Sequence, residues 1–218
     1  MSDKKYTNPA TIALHTGWRK DETTNSVTVP IHMTSSYQFD STDHAANLFA
    51  LGELGNIYSR IMNPTNAVFE DRIAALEGGV AALGLASGQG ASAYAIQNLC
   101  SHGDNFVASS QLYGGTYNQF KNPFSDMGIE VRFVDPSDPQ NFADATDERT
   151  RAYYGEVLPN PSFQVFPLQE VADIGRPLGI PLIVDNTAAP LICRPFDHGA
   201  SVIVHSATKY IGGHGTSI

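Results

Sequence analysis

A single lysine, Lys209, follows an apolar run and several small hydroxyl residues in the segment SVIVHSATKYIGGHG, which covers residues 201–215. An apolar run of this kind predicts a buried β-strand, so the polar residues lie just beyond its end. A desolvated lysine can form a Schiff base with an aldehyde, and the hydroxyl groups of Ser206 and Thr208 can donate hydrogen bonds to a phosphate. The segment therefore predicts a covalent lysine site, against the simpler interpretation of a solvated surface lysine.

Other residues capable of chemistry also stand where predicted strands end. Asp185 ends the apolar run of IPLIVDNT, where a carboxylate is costly to bury without a cationic partner. The sequence SGQG, residues 87–90, precedes a predicted helix, whose first amide groups form an anion site. Tyr113 and Asn160 follow the runs NFVASS and RAYYGEVL. Each feature alone has a simpler interpretation: an ordinary turn for SGQG, a turn cap for Asp185 and packing at a rim for Tyr113.

The combination is more specific than its parts, because the groups fall at successive strand ends. In a mostly parallel sheet these ends meet at one edge, where ligands bind. A helix start for a phosphate, an acid for a protonated ring nitrogen and a lysine for an aldehyde together describe pyridoxal 5'-phosphate (PLP). Its electron-sink chemistry needs that lysine and that acid. We therefore predict a PLP site at this edge.

Composition and motif searches argue against several other classes of function. The net charge is -9, from 13 basic and 22 acidic residues without a basic cluster, which argues against binding to nucleic acid or to a membrane surface. No apolar run is long enough to span a bilayer and no signal peptide is recognisable, which predicts a cytoplasmic protein. Since no spacing is typical of metal ligands, we expect no metal, and we interpret His205 and His214 as structural hydrogen-bonding residues.

Alternating strand and helix patterns must position these residues. Predicted strands cover AALGLAS, NFVASS, IEVRFVD, RAYYGEVL, IPLIVDNT and ASVIVHS. Predicted helices cover NPTNAVFEDRIAALEGG, GASAYAIQNLCSHG, GTYNQFKNPFSDMG and LQEVADIGRPLG. The first of these helices is capped by Asn63, and its expected buried face comprises Val68, Phe69, Ile73 and Leu76. The alternation predicts an α/β protein with a mostly parallel sheet covered on both faces.

The first 63 residues differ from the rest, because they are rich in Thr and Ser and show little periodicity. They predict an extended arm with one short helix at DHAANLFALGE. Such an arm wraps a neighbouring subunit or is a poorly ordered terminus. We therefore divide the chain into an arm, residues 1–63, and a cofactor-binding large domain, residues 64–218.

The segments VDNT and HSATKYIGGHG resemble the signature of the Cys/Met-metabolism PLP enzymes. The segments VPIHMTSSYQF, YSRIMNPT, SGQGA, LYGGTYNQF and NPSF match the same family in the same order. The resemblance implies the aspartate-aminotransferase-like fold, fold type I, and an active site shared between subunits of a dimer or tetramer. Members of the family continue through a C-terminal domain that carries an arginine for the substrate carboxylate, and this sequence contains no such segment.

The resemblance also implies roles for individual residues. Lys209 matches the lysine that binds the cofactor covalently, and Asp185 matches the partner of the pyridine nitrogen. The positions that match donors to the phosphate are Gly88, Gln89, Ser206 and Thr208. Tyr113 matches the tyrosine stacked on the cofactor ring, and Asn160 the asparagine near the cofactor hydroxyl and the substrate carboxylate. Tyr58 and Arg60 match a pair of residues that reaches the phosphate of the neighbouring subunit. For Arg60, a surface salt bridge is the simpler interpretation.

Within the family, YGGTYNQF and YIGGHGTSI most resemble the O-acetylhomoserine sulfhydrylases. This resemblance implies a gamma-replacement in which sulfide displaces acetate from O-acetyl-L-homoserine and gives L-homocysteine. Methionine gamma-lyases usually carry a cysteine where this chain has Gly115. A methionine gamma-lyase or a cystathionine enzyme of the family is the alternative, and a non-catalytic, truncated cofactor-binding fragment is a further one.

Overall fold

The structure is a computed structural model that describes residues 6–218. It divides into two compact units, one ending at Gly84 and the other covering Leu85–Ile218. Among the helices of the described residues, none is long and apolar enough to cross a membrane.

The first unit contains three helices within its described residues: α1 (Pro9–His15), α2 (Thr42–Phe49) and α3 (Pro64–Glu77). Helix α3 confirms its prediction, because the side chain of Asn63 accepts the N–H of Thr65 and Gly78 ends the helix with a left-handed φ of 78°. Helix α2 confirms the short helix of the arm. Helix α1 is absent from the predicted elements, although Asn8 and Pro9 carry the same start signal as α3.

The second unit contains helices on both sides of a sheet. Its helices are α4 (Gly88–Gln97), α5 (Gly114–Gln119), α6 (Gln140–Asp144) and α7 (Leu168–Gly175). Helix α5 continues as a π-helical turn, Phe120–Phe124, which contains Pro123. Two short 3-10 turns, Arg176–Leu178 and Pro195–His198, complete the helical segments of this unit's described residues.

The sheet of the second unit is parallel throughout. Its strands are β1 (Asn105–Ser109), β2 (Glu130–Val134), β3 (Thr150–Glu156), β4 (Leu182–Asp185) and β5 (Val202–Val204). They lie in the order β2-β1-β3-β4-β5, and every neighbouring pair is parallel. The predicted α/β class and parallel sheet are therefore confirmed, and each strand coincides with a predicted apolar run.

Both faces of the sheet are covered, because successive side chains of a strand point to opposite sides. On one face, Phe106 and Tyr154 pack with Phe120 and with Ile96 of α4. On the other face, Tyr153 and its neighbours pack against α6 and α7. The buried side chains on this second face include Val107, Leu182, Val184, Phe142 and Val171. Burial on both faces explains why the strands read as continuous apolar runs.

Two expectations from the sequence are wrong. The segment AALGLAS, residues 81–87, carries no helix or strand and is largely exposed. A strand is held by hydrogen bonds to a neighbouring strand, and within residues 6–218 none pairs with this segment. The predicted buried face of α3 is wrong at Phe69, whose side chain is exposed. Val68 is buried as predicted, and Ala74 is buried as well.

Candidate active site

The strand order creates a topological switch point between β1 and β3. From β1 the chain passes to β2 on one side and then crosses to β3 on the other side of β1. Ligands of open parallel sheets bind in the crevice outside the carboxyl ends of the strands at such a point. Tyr113 follows β1 and Asn160 follows β3, while Asp185 ends the adjacent strand β4. Three of the predicted site residues thus come to the same edge.

Helix α4 begins beside the segment that follows β5. The side chain of Ser87 caps the helix and accepts the N–H of Gly90 at 3.0 Å. Within the described residues, the N–H groups of Gly88 and Gln89 donate no hydrogen bond, so both are available to an anion. A Cβ on Gly88 would lie 2.6 Å from the Cβ of Ser206 and 2.8 Å from its Cα, so only glycine permits this close approach.

A chain of hydrogen bonds links Asp185 to Lys209. The N–H of Thr187 donates to Oδ1 of Asp185 at 2.9 Å, and the N–H of Ser206 donates to Oγ1 of Thr187 at 2.7 Å. The N–H of Lys209 then donates to the carbonyl oxygen of Ser206 at 3.1 Å. Lys209 is exposed, whereas Ser206 and Thr208 are half-buried. These bonds hold the lysine segment at a set position relative to the acid.

Asp185 is placed where a cation would favour its ionised form. Burial raises the pKa of its carboxyl group, while hydrogen bonds from the hydroxyl and amide of Thr187 and the charge of His205 oppose the increase. A cationic partner close to a desolvated carboxylate lowers its pKa and recovers part of the desolvation cost. A protonated ring nitrogen would be such a partner.

Tyr113 is held at the switch point by its backbone. Its N–H donates to Oε1 of Glu156 at 2.7 Å, and its half-exposed ring lies over Gly115, where an added Cβ would be 2.5 Å from the ring. Helix α5, which starts directly after Tyr113, is tied to the start of α4 because Nε2 of Gln89 donates to Oγ1 of Thr116 at 3.0 Å. The phosphate-binding candidates and the stacking candidate therefore share one bonded framework.

Glu156 is a buried acid at the site that the sequence analysis missed. It ends β3, in register with Asp185 on β4, and only 6% of its surface is exposed. The backbone N–H of Asn160 also interacts with its carboxyl group and lowers its pKa. A signal was present, because Glu156 interrupts the apolar run RAYYGEVL just as Asp185 interrupts IPLIVDNT.

Tyr58 and Arg60 belong to the first unit and are described within it. Tyr58 forms an isolated antiparallel bridge with Ser36, and the guanidinium carbon of Arg60 lies 5.0 Å from the centre of the Tyr58 ring. Both side chains are exposed. Their assignment to a neighbouring subunit's phosphate stays a prediction.

The residues at the strand ends fit PLP. Two available amide donors and the hydroxyls of Ser206 and Thr208 suit its phosphate, and Asp185 suits its ring nitrogen. An exposed lysine on the same bonded segment suits its aldehyde. No group of three or more histidine, cysteine, aspartate or glutamate side chains suited to a metal occurs among residues 6–218.

The chain is similar to known proteins over nearly its whole length. It is 53% identical over 211 residues to the O-acetyl-L-homoserine sulfhydrylase of Leptospira meyeri, covering 96% of this chain and 48% of that protein. It is 49% identical over 212 residues to the homocysteine/cysteine synthase of Saccharomyces cerevisiae, covering 95% of this chain and 48% of that protein. The chain thus spans about half the length of the curated relatives it matches.

A solved structure from Campylobacter jejuni, assigned as an O-acetylhomoserine (thiol)-lyase and containing a pyridoxyl-lysine monophosphate residue, superposes with a TM-score of 0.95. The identity is 40%, and the match covers 98% of this chain and 52% of that one. This likeness confirms the predicted aspartate-aminotransferase-like fold. The family model described as Cys/Met metabolism PLP-dependent enzyme matches residues 10–218. The chain therefore belongs to the Cys/Met-metabolism family of PLP-dependent enzymes.

Proposed function

We propose that the protein catalyses gamma-replacement on O-acetyl-L-homoserine, in which sulfide displaces acetate and L-homocysteine forms. The observation that carries the proposal is the set of donors at the strand ends, joined into one bonded framework from Asp185 to Lys209. Relatives named O-acetyl-L-homoserine sulfhydrylase and homocysteine/cysteine synthase, 53% and 49% identical, support the choice of substrates. The pyridoxyl-lysine of the Campylobacter structure supports the assignment of a lysine as the covalent anchor.

The proposed chemistry divides between the cofactor and the side chains. Bound PLP supplies an electron sink for the pair of electrons left when a proton leaves the substrate. Asp185 holds the ring nitrogen in its protonated form through its carboxylate. Lys209 Nζ is the proposed base that takes the proton from the substrate Cα and then from Cβ, and returns them after sulfide has added. The hydrogen bond from the backbone N–H of Lys209 to Ser206 ties the lysine to the segment that carries the phosphate donors.

Three other side chains are proposed to bind and orient. The ring of Tyr113 stacks on the cofactor ring, and its hydroxyl is a candidate proton shuttle. Asn160 binds the cofactor hydroxyl and the substrate carboxylate through its side-chain amide. The backbone amides of Gly88 and Gln89, with the hydroxyls of Ser206 and Thr208, bind the phosphate.

The arm is proposed to complete a site in trans. In this proposal residues 1–63 contact a neighbouring subunit of a dimer or tetramer, and residues 64–218 form the cofactor-binding large domain. Tyr58 and Arg60 then reach the neighbour's phosphate, where the planar guanidinium suits a bidentate contact. Tyr58 is the second candidate proton shuttle.

The first prediction tests Lys209 in the protein at its full natural length. Borohydride should remove the visible absorption band and attach the mass of PLP to the peptide that contains Lys209. Lys209→Ala should lower homocysteine formation from O-acetylhomoserine and sulfide by at least about 100-fold, because a base aligned on the substrate is lost. Lys121→Ala changes an exposed lysine elsewhere on the same unit and should leave the rate unchanged.

Three results would contradict this proposal. Full turnover by Lys209→Ala would show that another group is the base. Release of ammonia without incorporation of sulfide would favour a gamma-lyase of the same family, and a protein that stays colourless with added PLP would favour a non-catalytic fragment.

A further inference from the structure

Glu156 is a buried titratable group for which the proposed chemistry has no use. It lies at the carboxyl end of β3, on one side of the switch point, with 6% of its surface exposed. Burying a carboxyl group is unfavourable unless specific partners satisfy it. The groups that bind the carboxyl group of Glu156 therefore indicate its role.

The partners of Glu156 are the backbones of the two loops that flank the switch point. Oε1 accepts the N–H of Tyr113, which follows β1, at 2.7 Å. The backbone N–H of Asn160, which follows β3, also interacts with this carboxyl group and lowers its pKa. Both oxygens of a carboxyl group keep lone pairs that can accept, even when one oxygen carries the proton, whereas the amide of glutamine turns an N–H₂ group without acceptor capacity toward one of these donors.

The neighbour of Glu156 in the sheet is Asp185, the proposed partner of the ring nitrogen. The two acids lie in register on adjacent strands. Burial, together with the charge of Asp185, raises the pKa of Glu156 to about 8, against the opposing hydrogen bonds from the amides of Tyr113 and Asn160. At neutral pH Glu156 therefore remains mostly protonated.

We propose that Glu156 is a positioning residue of the cofactor site, whose buried carboxyl group holds the loop of Tyr113 and the loop of Asn160 on the two sides of the switch point. This inference rests on the proposed function, since it assigns Tyr113 and Asn160 to the cofactor. It adds a residue that acts through these two and touches neither cofactor nor substrate. It also explains why an acid stands in the buried part of β3.

The test compares Glu156→Gln and Glu156→Ala with the wild-type protein at full natural length. Hydrogen exchange at the amides of Tyr113 and Asn160 should accelerate in both variants in the absence of PLP, because the acceptor of these amides is weakened or lost. The Kd for PLP, measured by titration of the visible band, should rise roughly tenfold in Glu156→Ala and less in Glu156→Gln. The visible circular dichroism of the bound chromophore should change, since it reports the packing of Tyr113 on the ring.

Tyr153→Phe is the matched control. It removes a hydrogen bond of 2.7 Å between Tyr153 and Thr146 from the same strand, on the face of the sheet opposite to Glu156. It should lower Tm while leaving the Kd for PLP, the dichroism and the exchange at both loop amides unchanged. A loss of stability alone therefore cannot mimic the expected result.

The outcomes separate the inference from the proposed function. If wild-type protein binds PLP at Lys209 and both Glu156 variants keep its Kd, dichroism and loop exchange, the positioning role is wrong and the proposed function stands. If wild-type protein does not bind PLP, the proposed function is wrong and the inference falls with it. If Glu156→Ala does not fold, Glu156→Gln decides by the same readouts.

Discussion

Gly115 shows how one missing side chain shapes the candidate site. A Cβ at this position would lie 2.5 Å from Cε1 and 3.2 Å from Cδ1 of Tyr113. The Tyr113 ring occupies the space that any other residue would need. Gly115 therefore permits the position of the Tyr113 ring.

Gly115→Cys is therefore expected to displace the Tyr113 ring. The ring can rotate about its χ1, so the substitution should alter the site without unfolding the chain. We expect a changed visible circular dichroism of bound PLP and a kcat/KM for O-acetylhomoserine lowered by about tenfold. Gly114→Ala is the control, because a Cβ on Gly114 meets no atom within 4 Å. A Gly115→Cys protein with wild-type dichroism and rate would disprove the link.

At the scale of elements, the site depends on how closely α4 approaches the segment after β5. We expect the available amides of Gly88 and Gln89 and the hydroxyl of Ser206 to bind the same phosphate, so the two elements must lie close together. The glycine allows that approach, and the Ser87 cap pairs the amide of Gly90. The bond from Gln89 to Thr116 extends the framework to α5.

Gly88→Ala should separate these two elements. Its Cβ would meet both the side chain and the backbone of Ser206, so the start of α4 must shift. We expect the Kd for PLP, measured by titration, to rise by at least about tenfold, because the phosphate loses aligned donors. Gly90→Ala is the matched control, since its Cβ would lie 3.4 Å from Oγ of Ser87 and alanine favours the helix. Equal affinities in the two variants would show that the approach of α4 to Ser206 does not matter.

At the scale of the whole molecule, charge is distributed differently at the two ends of the sheet. At the amino end, Asp147 accepts Nδ2 of Asn105 at 2.7 Å and Nη2 of Arg132 at 2.8 Å, and these bonds lower its pKa. At the carboxyl end, burial raises the pKa of Glu156 and of Asp185. The amino end therefore contributes stability that is lost on acidification. The two acids at the carboxyl end impose a penalty on the free energy of unfolding, and this penalty grows as pH rises.

The sign of that penalty gives a prediction for the cofactor-free protein. The pKa of Glu156 rises from 4.5 to about 8 on folding, so between these pH values the folded state binds more protons than the unfolded state. The free energy of unfolding should therefore fall as pH rises through this window, with a slope from this group of up to about 1.4 kcal/mol per pH unit. Urea midpoints from pH 5 to 8 should show the fall in the wild type and a flatter profile in Glu156→Gln.

Asp147→Asn is the control for this experiment. It should change how the free energy of unfolding depends on pH under acidic conditions and leave the slope between pH 5 and 8 unchanged. Identical slopes in wild type and Glu156→Gln between pH 5 and 8 would contradict the titration assigned to Glu156. A free energy of unfolding that rises with pH over this range would contradict the predicted sign.

The sequence by itself determined the local elements and the chemistry at their ends. Apolar runs marked the five strands, Asn63 and Gly78 marked the ends of α3, and Lys209 and Asp185 were identifiable as polar residues at strand ends. These features depend on neighbours in the chain, so periodicity and residue type carry them. The combination of these groups predicted PLP, and the family's motifs then implied a role for each residue.

Only the tertiary structure decided which strands are neighbours. The switch point between β1 and β3, the bond from Tyr113 to Glu156 and the contact of Gly88 with Ser206 join residues 43 to 118 positions apart in the chain. The same dependence on distant partners explains why AALGLAS is apolar and yet carries no strand among the described residues. Strand pairing and burial are properties of contacts between distant segments, and a local pattern contains no record of which segments will meet.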